Sequence, residues 1–234
     1  KTPSHDEIVA RFANFINSNK PSRKSVVITL GATRSPIDDI RYIQNTSSGS
    51  TGYQIADHLY RHGHDVTCVS GITTHQKPSW LPLDIYSDTP ENMLIELKAL
   101  SNDEIDAWVH CAAVLDYVVE SPAEGKLASQ QGPLSVNLIE SPKHILKLKE
   151  HCKNSVRIGF KLETGIKQKE LVRRAVAQLE YAGMTAVIAN RLEDLADNSR
   201  PRAYLVDNTG ADFTLRTMLD VCEAISTVIE RGNR

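Results

Sequence analysis

The apolar residues of this chain fall into short runs that alternate between helical and strand-like spacing. Over residues 5–16 they recur at intervals of three and four, which predicts an amphipathic helix that covers a sheet. The residues of this stripe are Ile8, Val9, Phe12, Phe15 and Ile16. Residues 25–30 are rich in β-branched side chains without polar alternation, a pattern typical of a strand buried on both faces of a parallel sheet.

Similar runs continue to the end of the chain and predict a regular order of elements. Further strands are predicted at 66–69, around Ile85, and at 107–113, 156–160 and 185–189. Further helices are predicted at 50–61, 91–100, 142–151, 168–181 and 216–230. Residues 203–210 predict a C-terminal hairpin. We therefore expect a single α/β domain over 1–234, with a doubly wound, mostly parallel Rossmann-like sheet.

Two segments do not follow this alternation. Residues 31–49 are polar and are predicted to form a long loop, and residues 116–140 are predicted to leave the sheet as a protruding flap. Within the flap, residues 134–139 alternate apolar and polar side chains, so one face of this extended piece needs a cover. A second subunit would supply it, which predicts a homodimer.

Composition and charge exclude several classes of function. The formal net charge of -2 gives no basic face for a nucleic acid, so we expect no nucleic-acid partner. No apolar stretch approaches the length of a membrane span and no signal pattern opens the chain, so we expect no membrane association and a cytoplasmic location. The four scattered cysteines have no zinc-like spacing. His110, inside an apolar strand, is predicted to be a core histidine with satisfied hydrogen bonds.

The residues between the first strand and the helix at 50–61 are small and polar. Residues 45–52, with the sequence NTSSGSTG, precede the helix and would offer free N–H groups and a positive dipole end to an anion. An ordinary serine-rich helix cap is the alternative. The first turn is not Gly-x-Gly-x-x-Gly, no acidic residue ends the second strand, and no Gly-Lys-Ser/Thr is present, which argues against an oxidoreductase and against a Walker loop.

A longer set of motifs resembles the phosphopantothenate–cysteine ligase family. Residues 31–38 (GATRSPID) and 41–49 (RYIQNTSSG) are similar to the GGTxEPID…RFIxNxSSG signature of that family. The family's AAVADY, KxKK flap, GFxxET and IVAN motifs are matched, in the same order, at 112–117, 125–127, 159–164 and 187–190. The resemblance covers residues 25 to about 210.

The resemblance implies an activity and a set of ligands. Members join 4′-phosphopantothenate to L-cysteine through an acyl-nucleotidylate in coenzyme A biosynthesis, using CTP or ATP with a divalent metal, normally Mg²⁺, and no flavin is expected. By the same resemblance, Asn45 and Lys126 would be catalytic, and Asn45 and Asn190 would contact substrate. The residues expected to bind the nucleotide are Gly31, Ser48, Gly49, Gly52, Ala113, Asp116, Pro142 and Phe160. The metal ligands are not identified, although Asp116 would meet sugar, base or metal.

Several positions depart from the bacterial pattern. Ser50 replaces the basic residue that usually follows SSG, and Lys126 is the one flap lysine that remains, with Ala128 and Ser129 at neighbouring positions. Gln178 and Tyr181 stand near places where bacterial members have phosphate-binding lysines. These features resemble the eukaryotic branch and place ATP slightly ahead of CTP. They also support the alternative of a nucleotide-binding regulatory subunit without turnover.

Overall fold

The central element of the fold is an eight-stranded sheet. A computed structural model describes residues 2–101, 104–129, 132–197, 199–209 and 212–232. Within these ranges the strands are β1 (Ser25–Leu30), β2 (Arg34–Pro36), β3 (Tyr42–Gln44), β4 (Asp65–Ser70), β5 (Leu83–Tyr86), β6 (Ala107–His110), β7 (Tyr117–Val119), β8 (Leu138–Glu140), β9 (Val156–Glu163), β10 (Ala186–Arg191), β11 (Ala203–Asp207) and β12 (Asp212–Leu215). The helices are α1 (His5–Asn17), α2 (Ser50–Arg61), α3 (Pro90–Leu100), α4 (His144–Lys147), α5 (Gln168–Ala182), α6 (Leu192–Leu195) and α7 (Met218–Arg231).

The strand order confirms the predicted fold class. The sheet runs β12-β11-β10-β9-β6-β1-β4-β5, and it is parallel except at β11 and β12, which form the predicted C-terminal hairpin. From β1 the chain builds outward through β4 to β5 and then returns to the other side of β1 at β6. The carboxyl ends of β1 and β6 therefore diverge into a crevice, which is where ligands bind in open α/β sheets.

Several predicted boundaries are wrong in ways that affect the site. β6 ends at His110 and not at residue 113, and α4 extends only over His144–Lys147 within the helix predicted at 142–151. Residues 31–49 are not one loop, because β2 and β3 form a small antiparallel hairpin inside them. The flap lies outside the main sheet, as predicted, and β7 pairs with β8 there; of the extended piece at 134–139, only residues 138 and 139 have strand geometry.

The first helix is present, but the predicted orientation of its apolar face is wrong. Phe12 and Phe15 are 63% and 71% exposed. The opposite face contacts α2 through polar side chains, because Asn14 Nδ2 donates to the Tyr60 carbonyl at 2.7 Å and Asn17 Nδ2 donates to a carbonyl of the same α2 terminus at 2.8 Å. The apolar stripe of α1 thus faces away from the domain. No helix within the described ranges has both the length and the apolarity that crossing a membrane requires.

Candidate functional site

The carboxyl end of β1 is held to the segment after β6 by backbone pairing. Gly31 has φ 77°, and a Cβ there would lie 2.7 Å from the Ile72 carbonyl oxygen, so the turn after β1 requires glycine. Beyond the turn, Ala32 bridges to Ala113, and Asn45 Nδ2 donates to the Ala113 carbonyl at 3.2 Å. These contacts bring the hairpin segment that carries Asn45 over the end of the sheet.

A cavity of about 320 Å³ lies at this edge of the sheet. Five of the residues predicted from the motifs line it, although they come from distant parts of the sequence. They are Asn45, Ala113, Asp116, Pro142 and Phe160. The fold therefore converts a set of separated motifs into one concave site, at the position where the strand order reverses.

The other predicted nucleotide-binding residues do not line this cavity. Gly49 precedes α2 with φ 78°, and a Cβ there would lie 2.6 Å from Thr73 Cγ2. Gly52 packs on β1 so closely that a Cβ would lie 2.3 Å from Leu30 Cβ. The Ser48 carbonyl accepts hydrogen bonds from the backbone N–H groups of residues 74 and 75. Packing accounts for both glycines, and the roles of Gly31, Ser48, Gly49 and Gly52 toward phosphate stay predictions.

Charged side chains lie around the mouth of the cavity. Asp116 and Lys143 form an exposed ion pair with 3.5 Å between Nζ and Oδ1. Lys161 also lines the cavity and pairs with Glu163 at 3.0 Å. The mouth therefore holds two ammonium groups, each beside a carboxylate, that an entering anion would meet. The exposed Asp116–Lys143 pair is weak, so such a ligand can displace it at little cost, whereas Glu163 is partly buried and also pairs with Arg174 at 2.7 Å.

The deeper wall of the cavity is polar but uncharged. His110 is 8% exposed, and burial, followed by the nearby Arg157 and His144, lowers its pKa to about 3. His110 Nε2 has no hydrogen-bond partner within the described ranges, so the prediction of a satisfied core histidine is wrong in that respect. His144 places its Nε2 2.9 Å from the Pro90 carbonyl, and burial lowers its pKa as well. Both imidazoles are therefore neutral at pH 7.

Sequence reasoning assigned His110 and His144 no functional position, yet both line the cavity. The available signal was their location, since His110 ends β6 directly before the 112–117 motif and His144 follows Pro142. The cavity is also lined by Gln178 and Tyr181, which the sequence identified only as departures from the bacterial lysine pattern. Gln178 Nε2 donates to the Phe160 carbonyl at 3.3 Å, and a Cβ at residue 159 would lie 2.6 Å from that nitrogen, so the glycine there makes room for the amide.

Lys126 and Asn190 lie outside the lining of this cavity. Lys126 is exposed on a segment without helix or strand, as predicted. Asn190 lies near the carboxyl end of β10, and its Oδ1 is buried without a partner among the residues that the structure describes. Among all the residues that the structure describes, no group of three or more histidine, cysteine or acidic side chains is placed to hold a metal ion. The roles predicted for Lys126 and Asn190 stay predictions.

Comparisons with known proteins identify relatives of most of this chain. The family described as DNA/pantothenate metabolism flavoprotein C-terminal domain matches residues 22–231. The coenzyme A biosynthesis bifunctional protein CoaBC of Thermococcus kodakarensis is 38% identical over 194 residues, which cover 82% of this chain and 47% of that protein. The protein of the same name from Methanocaldococcus jannaschii is 32% identical over 193 residues, with 82% and 47% covered. This chain thus spans about half the length of these curated relatives.

Solved structures show the same fold at lower sequence identity. The DNA/pantothenate metabolism flavoprotein from Streptococcus pneumoniae superposes with a TM-score of 0.79 at 24% identity, covering 89% of this chain and 99% of that one. A mutant of Cab2 in complex with phosphopantothenate-cysteine superposes with a TM-score of 0.72 at 21% identity, covering 99% and 94%. At these identities the superpositions establish the architecture alone.

Proposed function

The chain belongs to the family of DNA/pantothenate metabolism flavoprotein C-terminal domains, and we propose from this premise that it joins 4′-phosphopantothenate to L-cysteine in coenzyme A biosynthesis. The observation that carries the proposal is the cavity in which Asn45, Ala113, Asp116, Pro142 and Phe160 meet. The relatives support the pathway, since they are coenzyme A biosynthesis proteins. The Cab2 structure supports the product, since that protein forms a complex with phosphopantothenate-cysteine.

The proposed reaction has two steps. A carboxylate oxygen of 4′-phosphopantothenate attacks the α-phosphorus of ATP or CTP, the bond to the bridging oxygen breaks, and pyrophosphate leaves. The cysteine amine then attacks the acyl carbon of the resulting mixed anhydride, the nucleoside monophosphate leaves, and the amine loses a proton. Negative charge develops on oxygen in both steps, so groups that donate hydrogen bonds or carry positive charge at the reacting atoms lower both barriers.

Asn45 is the residue that we assign to the acyl carbon. A carboxamide has two N–H donors. In Asn45 one of them is oriented by the hydrogen bond to the Ala113 carbonyl at 3.2 Å. That bond fixes the plane of the amide, and the second N–H is then available to the acyl oxygen without any proton transfer. Lys126 is assigned to the first step, where its ammonium group would compensate charge at the attacked phosphorus.

The proposed site offers a divalent metal one carboxylate ligand, Asp116. Mg²⁺ is commonly held by one or two carboxylates together with the phosphates of the substrate and several waters. Asp116 is a cavity-lining carboxylate, and its one ion-pair partner within the described ranges, Lys143, is exposed and displaceable. When bound, the ion would neutralise triphosphate charge, and Asp116 is the residue that would hold it. We propose no flavin, and we propose a cytoplasmic enzyme, which the four free thiols support.

Turnover is the property that separates the ligase from its main alternative. Gln178 and Tyr181 line the cavity where the bacterial pattern predicts lysines, and this observation favours a regulatory subunit that binds nucleotide without reaction. The decisive assay measures pyrophosphate released from equal ATP and CTP, with and without L-cysteine, and identifies the acyl product. We expect cysteine-dependent product formation, with ATP slightly preferred. Saturable nucleotide binding without any product would refute the ligase and establish the binding subunit.

A further inference from the structure

The backbone on the C-terminal side of Lys126 is fixed by two charged side chains. Leu127 N–H donates to Asp38 Oδ2 at 3.1 Å, and the Leu127 carbonyl accepts from Arg41 Nη2 at 2.8 Å. Both polar groups of one flap residue are therefore bonded to the turn that joins β2 to β3. The two segments are separated by more than 80 residues in sequence, so this is a tertiary contact and not a local turn.

The backbone on the N-terminal side of Lys126 is fixed to the same turn. Gly125 N–H donates to Asp39 Oδ2 at 3.1 Å, and the Gly125 carbonyl accepts from the Asp39 N–H at 3.4 Å. Slightly earlier, Ala123 N–H donates to the Ile37 carbonyl at 2.9 Å. The residues before and after Lys126 are thus both held, and the position of its Cα is set by the β2–β3 turn.

Asp38 is the buried centre of this contact. Its side chain has no solvent-exposed surface, although it is a carboxylate. Oδ1 accepts from the backbone N–H groups of Ile40 at 2.9 Å and Arg41 at 2.7 Å, whereas Oδ2 accepts from Arg41 Nε at 2.9 Å as well as from Leu127. The Arg41 guanidinium holds the pKa of the Asp38 carboxyl far below its usual range. Asp38 therefore stays charged. Its Oδ1 binds the backbone of the β2–β3 turn, and its Oδ2 binds the Arg41 side chain and the flap.

The side chain of Lys126 takes no part in this contact. The residue is exposed, and within the described ranges its ammonium group has no hydrogen bond or ion pair. A lysine whose backbone is held while its charge remains available is suited to meeting a ligand anion at a defined place. Ordering the backbone beforehand lowers the entropy that must be lost in the transition state.

We propose that Asp38 is a positioning residue for Lys126, acting through the Leu127 N–H. The proposal rests on the proposed function, since it assigns Asp38 to the same nucleotide-activation step. Asp38→Asn tests the two oxygens separately, because it keeps one oxygen and replaces the other with an NH₂ group. The amide oxygen can keep both turn hydrogen bonds at Oδ1, while the amide nitrogen at Oδ2 faces the Leu127 N–H and the Arg41 guanidinium, so donors would meet donors.

Limited trypsin digestion tests the geometric part of the proposal without any activity assay. Trypsin cleaves after lysine, and the Lys126–Leu127 bond is the one that the contact protects. We expect Asp38→Asn to raise the cleavage rate at this bond by about tenfold, relative to cleavage after the exposed Lys153. Lys126→Gln identifies the fragment because it removes the cleavage site. The matched control is Asp57→Asn, which changes an aspartate on α2 whose side chain accepts hydrogen bonds from Arg61 and Trp80.

A double-mutant cycle tests the functional part. In otherwise wild-type protein, Asp38→Asn should lower kcat for nucleotide-dependent pyrophosphate release about 10- to 100-fold, with KM for nucleotide changed less than about twofold. In the Lys126→Gln background the same substitution should change kcat less than about twofold, because the residue that it positions is gone. Asp57→Asn should leave kcat unchanged in both backgrounds.

The outcomes distinguish the two proposals. Multiplicative effects in the cycle, or unchanged cleavage after Lys126 in folded Asp38→Asn, would overturn the positioning role even if the wild-type chain is an active ligase. A wild-type chain that forms no acyl product would instead refute the proposed function, and the digestion would still decide whether Asp38 holds the flap. If Asp38→Asn does not fold, Leu127→Pro removes the N–H donor while Asp38 stays in place; it also restricts the backbone at residues 126 and 127, and it should give the same kinetic pattern in the cycle.

Discussion

His110 should make the stability of this protein sensitive to mild acid. Burial, together with Arg157 and His144, lowers the pKa of the imidazole to about 3, whereas an unfolded histidine has a pKa of about 6.5. Between pH 6.5 and 3 the unfolded chain therefore binds a proton that the native chain does not bind. Because the unfolded state holds more protons in this window, acid shifts the equilibrium toward unfolding, and stability is lost as the pH falls below 6.5.

The size of the effect follows from proton linkage. One proton difference changes the free energy of unfolding by about 1.4 kcal/mol per pH unit, so His110 alone should cost about 2 kcal/mol between pH 6.5 and 5. His58, with a pKa lowered to about 4 mainly by burial, adds to the same slope. Paired carboxylates do not contribute in this interval. The pKa of Glu170, for example, is lowered to about 2 by Arg173 and Arg174, so its contribution is lost only at lower pH.

Urea unfolding at pH 5.0, 6.0 and 7.0 measures this slope. His110→Phe is the informative variant, because it keeps an aromatic ring beside Trp108, whose ring centroid lies 6.4 Å from that of His110. We expect the variant to lose less stability than the wild type between pH 6 and 5, by about 1.4 kcal/mol. Parallel pH profiles for the two proteins would show that the native pKa of His110 is not lowered and would refute the reasoning.

Three further predictions address the site, the packing and the assembly. Asn45→Asp replaces a donor with a repelling carboxylate of the same shape and should reduce ligation by roughly 10²-fold without loss of fold; near wild-type turnover would rule out the assigned role. Gly52→Ala should lower the free energy of unfolding by about 1–3 kcal/mol, because the new Cβ would lie 2.3 Å from Leu30 Cβ, and an unchanged urea midpoint would contradict that packing. Because Leu138 and Ile139 of the flap are 41% and 42% exposed, we expect a dimer at micromolar concentration, and sedimentation showing monomer alone would exclude it.

The sheet and much of the cavity could be predicted from the sequence because they depend on strong local patterns. Ser25–Leu30 is an uninterrupted β-branched run, and Ser50–Arg61 has clear helical spacing, so both elements have the predicted bounds. The cavity residues were predicted from the family resemblance, and parallel topology explains only why the residues after β1, β6 and β9 lie at one edge of the sheet. The hairpin of β2 and β3 has no such pattern. It depends on tertiary contacts such as the hydrogen bond from Val119 N–H to Ser35 Oγ at 2.8 Å.

The orientation of α1 shows a different limit of pattern reasoning. Helical periodicity identifies an apolar face, but it does not identify what that face contacts. In this chain Asn14 and Asn17 donate to the Tyr60 and Arg61 carbonyl groups in the last turn of α2, where carbonyl oxygens can accept bonds from outside the helix. The polar side of α1 therefore attaches to the domain. Nothing in the spacing of Phe12 or Phe15 carries that information.

The charges around the cavity change the argument about nucleotide choice. By comparison with the bacterial motif, Gln178 and Tyr181 stand near positions of lysines, so the sequence predicts a site that is poor in positive charge. The fold, however, brings Lys143 and Lys161 to the same cavity from the start of α4 and from β9. Their partners, Asp116 and Glu163, lie at 3.5 and 3.0 Å, so an anion must replace carboxylates that already stand beside the cations. The site therefore has positive charge, but at Lys143 and Lys161 and not on α5. The absence of lysines at residues 178 and 181 is thus no sufficient reason to expect ATP in place of CTP.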